Sequence, residues 1–188
     1  MKRDSNQHSK VTNHGNLALF VIDVQQGLFN KSTPIYKAEE LLDNINLLVD
    51  RAHQDGVPVF YIQHFEPRTL VKGSQDWQLH HRLQPQTRDN IIHKEHGNAF
   101  EETSLDEVLH SQNITSLVVT GLVTHGCVKA TCIGALKLGY RVILVKDGHS
   151  SYSQQAAQII DKWNEKLSEQ QVEVKTASEI EFTRMMDA

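Results

Sequence analysis

The chain has only two cysteines and four prolines in 188 residues, and aromatic side chains make up 6% of it. Cys127 and Cys132 are too few and too close for a disulfide framework, and their spacing is not that of a C-x-x-C pair. The thiols therefore read as reduced and the compartment as cytoplasmic. Charge of one sign is also missing, since 19 basic side chains stand against 23 acidic ones, a formal net charge of −4. That balance excludes the electrostatic footprint of a nucleic-acid binder and a polybasic patch for a membrane surface. No window approaches the ~20 apolar residues of a membrane span. Residues 1–15 are polar and lack the apolar stretch of a signal peptide, so they read as a disordered leader. Residues 16–188 are enough for a single domain with an ordinary core.

What is present is an alternation of strand and helix. Residues 17–24 (LALFVIDV) form a nearly continuous apolar run of strand length, the pattern of a strand buried on both faces. Leu41, Leu42, Ile45, Leu48, Val49 and Ala52 then recur at helical spacing, and the pattern stops at Asp55-Gly56. Further strands are expected at 57–63, 90–93, 115–121, 140–146 and 171–175. Helices are expected from Ser104 to His110, over 127–138, from Ser151 to about 169, and over 178–185. Ser104 with Glu107, and Ser151 with Gln154, have the spacing of capping boxes. The polar stretch 64–89 has weak periodicity, and a connection of that length usually covers or lines a site. Connections too long for hairpins predict an α/β fold, a doubly wound, mostly parallel six-stranded sheet between two helical layers. Such sheets bind ligands beyond the carboxyl ends of their strands.

Three reactive side chains fall at such ends. Asp23 closes the first apolar run, where an acid is costly without a partner. Lys94 follows the third expected strand in IIHKEHGNAF, and Cys127 follows the fourth in GLVTHGC and opens a helix. Each alone has an ordinary reading, as a capping acid, a solvated lysine or a core cysteine, and Cys132 deeper in the helix is expected to be a core cysteine. A helix start offers unpaired N–H groups and a partial positive charge that favour a thiolate, so the Cys127 pKa is expected to be lowered. Together, an acid, an ammonium group and a thiol are the equipment for nucleophilic attack on a carbonyl.

The segments FVIDVQQGLF, IIHKEHGNAF, VVTGLVTHGCVKATCIGALKLGY and DGHSSYSQQAAQII resemble the isochorismatase-like cysteine hydrolase superfamily, over nearly the whole chain from 17 to 182. The resemblance implies a three-layer α/β/α fold with Asp23, Lys94 and Cys127 as catalytic triad. It also implies a cis Leu122–Val123 peptide and an oxyanion hole made by the backbone N–H groups of Val123 and Cys127. The implied activity is hydrolysis of a C–N bond (amide, ureide or carbamoyl) in a small-molecule substrate through a covalent adduct on Cys127. Homo-oligomers are implied as well. Cys127 argues against vinyl-ether cleavage, whose enzymes in this superfamily lack the nucleophilic cysteine. The Asp-x-His of metal-binding nicotinamidases is missing after the second strand, so no metal or other cofactor is expected, although His64, His80 and His81 are the histidines to examine. Leu28, Phe29, His64, Trp77 and Thr124 are candidates for the substrate pocket. The alternative reading is a redox-sensing or non-catalytic ligand-binding member of the same fold.

Overall fold

The computed structural model describes residues 16–182, so the expected leader and the last part of the expected closing helix lie outside the described residues. Strand β1 (Leu17–Ile22) is buried at every position. Leu17, Leu19 and Val21 enter one apolar cluster, while Ala18, Phe20 and Ile22 enter another on the opposite face. A strand covered on both sides needs no polar face, hence the unbroken apolar run.

After β1 come a short helix α1 (Gln26–Phe29), α2 (Ala38–Gln54), β2 (Val59–His64), β3 (Asn90–Lys94) and α3 (Leu105–Ser111). The chain continues with β4 (Ser116–Leu122), α4 (Lys129–Lys137), β5 (Arg141–Ser150), α5 (Ala156–Ser168) and β6 (Glu173–Lys175). The strand order is β3-β2-β1-β4-β5-β6, and all neighbours pair in parallel. On one face α2 buries Leu41, Leu42, Ile45, Leu48, Val49 and Ala52. Helices α3, α4 and α5 cover the other face through side chains such as Leu105, Leu109, Cys132 and Leu167.

The sheet reverses its winding between β1 and β4, since β1 leads outward to β2 and β4 leads the other way to β5. A crevice at the strand ends is expected at such a reversal. Gly121 lets the two strands close on each other there. Its φ is +116°, and a Cβ at that position would meet the Ile22 backbone oxygen. Only glycine fits both the conformation and the space.

The segment 65–89 contains no helix or strand of its own and packs as an ordered cover. Its backbone pairs with the chain just beyond Asp23, through Gln26 N–H to Gln78 O (2.9 Å), Gly27 N–H to Asp76 O (2.8 Å) and His80 N–H to Val24 O (2.8 Å). Leu83 joins the α2-side cluster.

Several expected caps are replaced. Ser104 stands before α3 but its side chain makes no capping bond, and Thr103 Oγ1 accepts the Leu105 N–H instead. Strand β5 runs on to Ser150 because its register with β4 shifts past Val119, so that His149 and Ser150 pair with Gly121 and Leu122. Ser151 is therefore buried, and α5 begins only at Ala156. In place of a closing helix from 178, the described residues show a single 3-10 turn, Ala177–Glu179, whose Glu179 carboxylate accepts the Thr176 N–H.

Candidate active site

Asp23, Lys94 and Cys127 converge at the winding reversal. Asp23 follows β1 directly and adopts a left-handed backbone (φ +51°), with its N–H donating to Ile62 O at 2.8 Å. That conformation is uncommon outside glycine, asparagine and aspartate. Lys94 is the last residue of β3 and pairs in register with His64 of β2. Two strand spacings, about 10 Å, separate β3 from β1; the lysine and aspartate side chains, joined by their hydrogen bond, bridge them. Cys127 lies in a π-helical turn, Thr124–Val128, between β4 and α4. The Leu122–Val123 peptide leading into that turn is cis, as the resemblance implies.

The Lys94 ammonium is the centre of the group. Nζ donates to Asp23 Oδ2 at 2.9 Å, to Cys127 Sγ at 3.3 Å and to the His96 carbonyl at 3.1 Å, and it faces His64 Nδ1 at 3.4 Å. Lys94 and Asp23 are only 1% and 2% exposed. A buried ion pair of this kind costs desolvation that its mutual attraction and extra hydrogen bonds offset. The second Asp23 oxygen, Oδ1, is buried and has no hydrogen-bond partner among the described residues. A buried carboxylate oxygen without a donor is rare, and its natural complement is a proton or an N–H arriving from elsewhere.

The thiol differs from the sequence expectation. The Cys127 thiol is pushed up to about 12, first by burial and then by the Asp23 charge, with Lys94 opposing both. The lowering effect expected of a helix start is outweighed, and Cys127 precedes α4 in an irregular turn instead of opening a long helix. At neutral pH the resting group is therefore a thiol that keeps its proton. Cys132 is also pushed up to about 12, by burial, but it is wholly enclosed in the core while Cys127 is half-buried.

The other candidates are dispersed around this centre. His64 is held below the usual histidine range by burial and by Lys94, so its neutral ring can accept at Nδ1. Leu28 and Phe29 pack against the α2-side core, and the Phe29 ring lies 4.3 Å from that of His80. Trp77 sets its ring edge-on against His93 at 5.0 Å. Thr124 is buried and bonds to His149 and to the Ser150 carbonyl. The Val123 carbonyl accepts from the Gly126 and Val128 N–H groups, which shapes the turn around Cys127. Among the described residues no three His, Cys, Asp or Glu side chains gather as a metal site, and His80 stacks on His81 instead of meeting His64.

Gln25 lies inside the family-like segment FVIDVQQGLF, yet a glutamine after a strand has no periodicity that would assign it a role, and the sequence reading names none for it. Fully enclosed, its amide donates to the His64 carbonyl (2.9 Å) and the Trp77 carbonyl (2.8 Å), and accepts the His64 N–H (2.9 Å). Gln63 adds a second donor to the Trp77 carbonyl at 3.1 Å. These amides fasten the covering segment to the strand ends beside Lys94. Gln25→Leu removes three part-buried hydrogen bonds, with only the Trp77 carbonyl keeping its Gln63 donor, and we expect a loss of about 2–4 kcal/mol in denaturant unfolding.

Residues 17–164 match the isochorismatase domain. The chain belongs to the isochorismatase family, and its relatives include a streptothricin hydrolase and an N-carbamoylsarcosine amidase. Streptothricin hydrolase of Streptomyces noursei is 31% identical over 142 residues, covering 74% of this chain and 51% of that protein. The chain spans about half the length of the curated relatives it matches first. A solved isochorismatase family protein superposes with a TM-score of 0.81 at 31% identity, covering 86% of this chain and 98% of its own. N-carbamoylsarcosine amidase from Thermoplasma acidophilum superposes at 0.78 with 25% identity, covering 88% and 99%. Among the described residues no helix is long and apolar enough to cross a membrane.

Proposed function

We propose that this protein is a cysteine hydrolase that cleaves a C–N bond, of amide, ureide or carbamoyl type, in a small molecule. The observation that carries the reading is the arrangement around Lys94. One ammonium touches both a half-buried thiol and a buried carboxylate, and that carboxylate keeps one oxygen without a partner. Asp23 takes the thiol proton as Cys127 Sγ attacks the carbonyl carbon. Lys94 holds the negative charge as it moves from carboxylate to sulfur. The backbone N–H groups of Val123 and Cys127 receive the oxyanion. When the C–N bond breaks, the Asp23 proton leaves with the amine and the acyl group stays on sulfur. Water then attacks the thioester, Asp23 takes the proton of that water, and the proton returns to sulfur as the acid product departs. The streptothricin hydrolase and carbamoylsarcosine amidase relatives support the bond class.

The test is a panel of small carboxamides, ureides and carbamoyl compounds scored for amine or ammonia release, with intact-mass detection of an acyl adduct on Cys127. Release together with the adduct is the expected result. Release that persists with Cys127 blocked would overturn the covalent route. Alkylation gives a reading that needs no substrate. Iodoacetamide is expected to label Cys127 slowly at neutral pH and faster as pH rises toward 12, because only the thiolate reacts. Cys132 should stay unlabelled until the protein unfolds, as peptide mass mapping would show.

A further inference from the structure

Behind the turn that carries Cys127 runs a second polar chain, separate from the Asp23–Lys94–Cys127 group. Thr124 begins the turn, three residues before the cysteine, and is only 1% exposed. Its Oγ1 lies 2.8 Å from His149 Nδ1 and donates to the Ser150 carbonyl at 3.1 Å. On the other side of the ring, His149 Nε2 lies 3.0 Å from Asn164 Oδ1 on α5. Four groups from the turn, β5 and α5 thus form one line, and a polar line this enclosed is held only if each member is satisfied.

Burial holds the His149 imidazole down to about 4, so the ring is neutral and carries a single N–H. With Asn164 Oδ1 facing the ring, Nε2–H donates to it, and Nδ1 accepts the Thr124 hydroxyl, whose hydrogen is shared with the Ser150 carbonyl. In this arrangement the hydroxyl has no freedom to rotate, and the backbone that sets the direction of the Cys127 side chain is tied to two elements outside the turn. The turn makes few other side-chain bonds. Its other anchors among the described residues are the Lys94 bond to Cys127 Sγ, main-chain bonds such as those to the Val123 carbonyl, and the buried Val128 side chain.

We propose that Thr124, His149 and Asn164 are positioning residues, a buried hydrogen-bonded chain that holds the nucleophile turn so that Cys127 Sγ stays within reach of Lys94 and Asp23. The proposal rests on Cys127 being the nucleophile, but its effect on the thiol can be read without turnover. None of the three touches the reacting atoms. A displacement of the sulfur by about 1 Å is enough to cost about 10²-fold in rate.

The experiment compares Thr124→Val, which keeps the shape and loses the hydroxyl, with Thr124→Ser, which keeps the hydroxyl. For the best amide substrate of the panel, Thr124→Val should lower kcat by about 10²-fold with KM little changed, and Thr124→Ser should restore it. The pH profile of Cys127 alkylation is read in parallel. A loosened turn relieves the burial that raises the thiol, so Thr124→Val should be alkylated about tenfold faster than wild type at pH 9. Thr124→Ser should again follow wild type. His149→Phe should match Thr124→Val, and the double variant should fall no further than the worse single one, because both break the same chain. If Thr124→Val or His149→Phe does not fold, Asn164→Leu breaks the chain at its half-buried outer end and carries the same comparison. An alkylation profile that coincides with wild type in Thr124→Val, or multiplicative losses in the double variant, would overturn the proposal. Turnover that survives Cys127→Ala would overturn the nucleophile assignment instead, leaving the two failures distinguishable.

Discussion

Cys127→Ala is expected to abolish turnover, by at least about 10⁴-fold, while leaving the protein folded. The loss is large because the thiol in the proposed mechanism supplies the atom that bonds to substrate, and no neighbour can replace it. Cys132 is the other cysteine in the chain, and it is sealed in the core within α4. Folding survives because Cys127 is half-buried, and trimming one sulfur at a partly open position leaves only a small gap. Loss of the Sγ contact frees one of the Lys94 hydrogens, but the bonds to Asp23 and the His96 carbonyl remain. Steady-state rates on the substrate panel, with a thermal melt as control, check both halves. A variant that folds and still turns over at more than about a hundredth of the wild-type rate would remove the covalent mechanism.

The second large effect is expected from Asp23→Asn, and it acts in two directions at once. Turnover should fall by about 10²–10⁴-fold, the range for losing a general acid–base, since an amide cannot take the thiol proton or return it to the leaving amine. The thiol itself should become easier to ionise. The Asp23 charge is one of the causes that raise Cys127, and Lys94 is the cause that lowers it. Removing the carboxylate charge leaves Lys94 unopposed, so alkylation at a fixed pH should speed up while catalysis collapses. A residue that merely supported the fold would slow both or change neither. The same substitution strands the Lys94 charge in a site where its side chain is fully enclosed. A stability loss of about 3–5 kcal/mol is therefore expected, and the rates should be compared well below the lowered Tm. Alkylation that slows in Asp23→Asn, or turnover that survives, would contradict the assigned role.

The ease with which the strands could be read has a simple cause. Each central strand is covered on both faces, so β1, β2 and β4 appear as apolar runs whatever lies around them. Helix α2 places all six of its expected apolar positions against the core because its other face meets solvent, which keeps the spacing visible. The caps were misread for a related reason. Ser104-x-x-Glu107 and Ser151-x-x-Gln154 have suitable spacing, but the first serine lost its role to Thr103, and the second was drawn into the sheet edge when β5 regained register with β4. Local spacing offers a cap, and the path of the neighbouring chain decides whether it is used.

The sequence by itself determined the order of strands and helices, and therefore which residues stand at the carboxyl ends of a parallel sheet. That placement is a matter of local period and chain direction, and it singled out Asp23, Lys94 and Cys127. Only the tertiary structure decided their chemical state and their surroundings. Whether the thiol rests protonated depends on burial summed over residues far apart in the chain, which is first among the causes that raise it. Gln25 reaching Trp77, and Thr124 reaching His149, are likewise contacts between segments 52 and 25 positions apart. A glutamine or histidine shows no period and carries no motif for such a contact, so its partner is set only when the sheet brings those segments together.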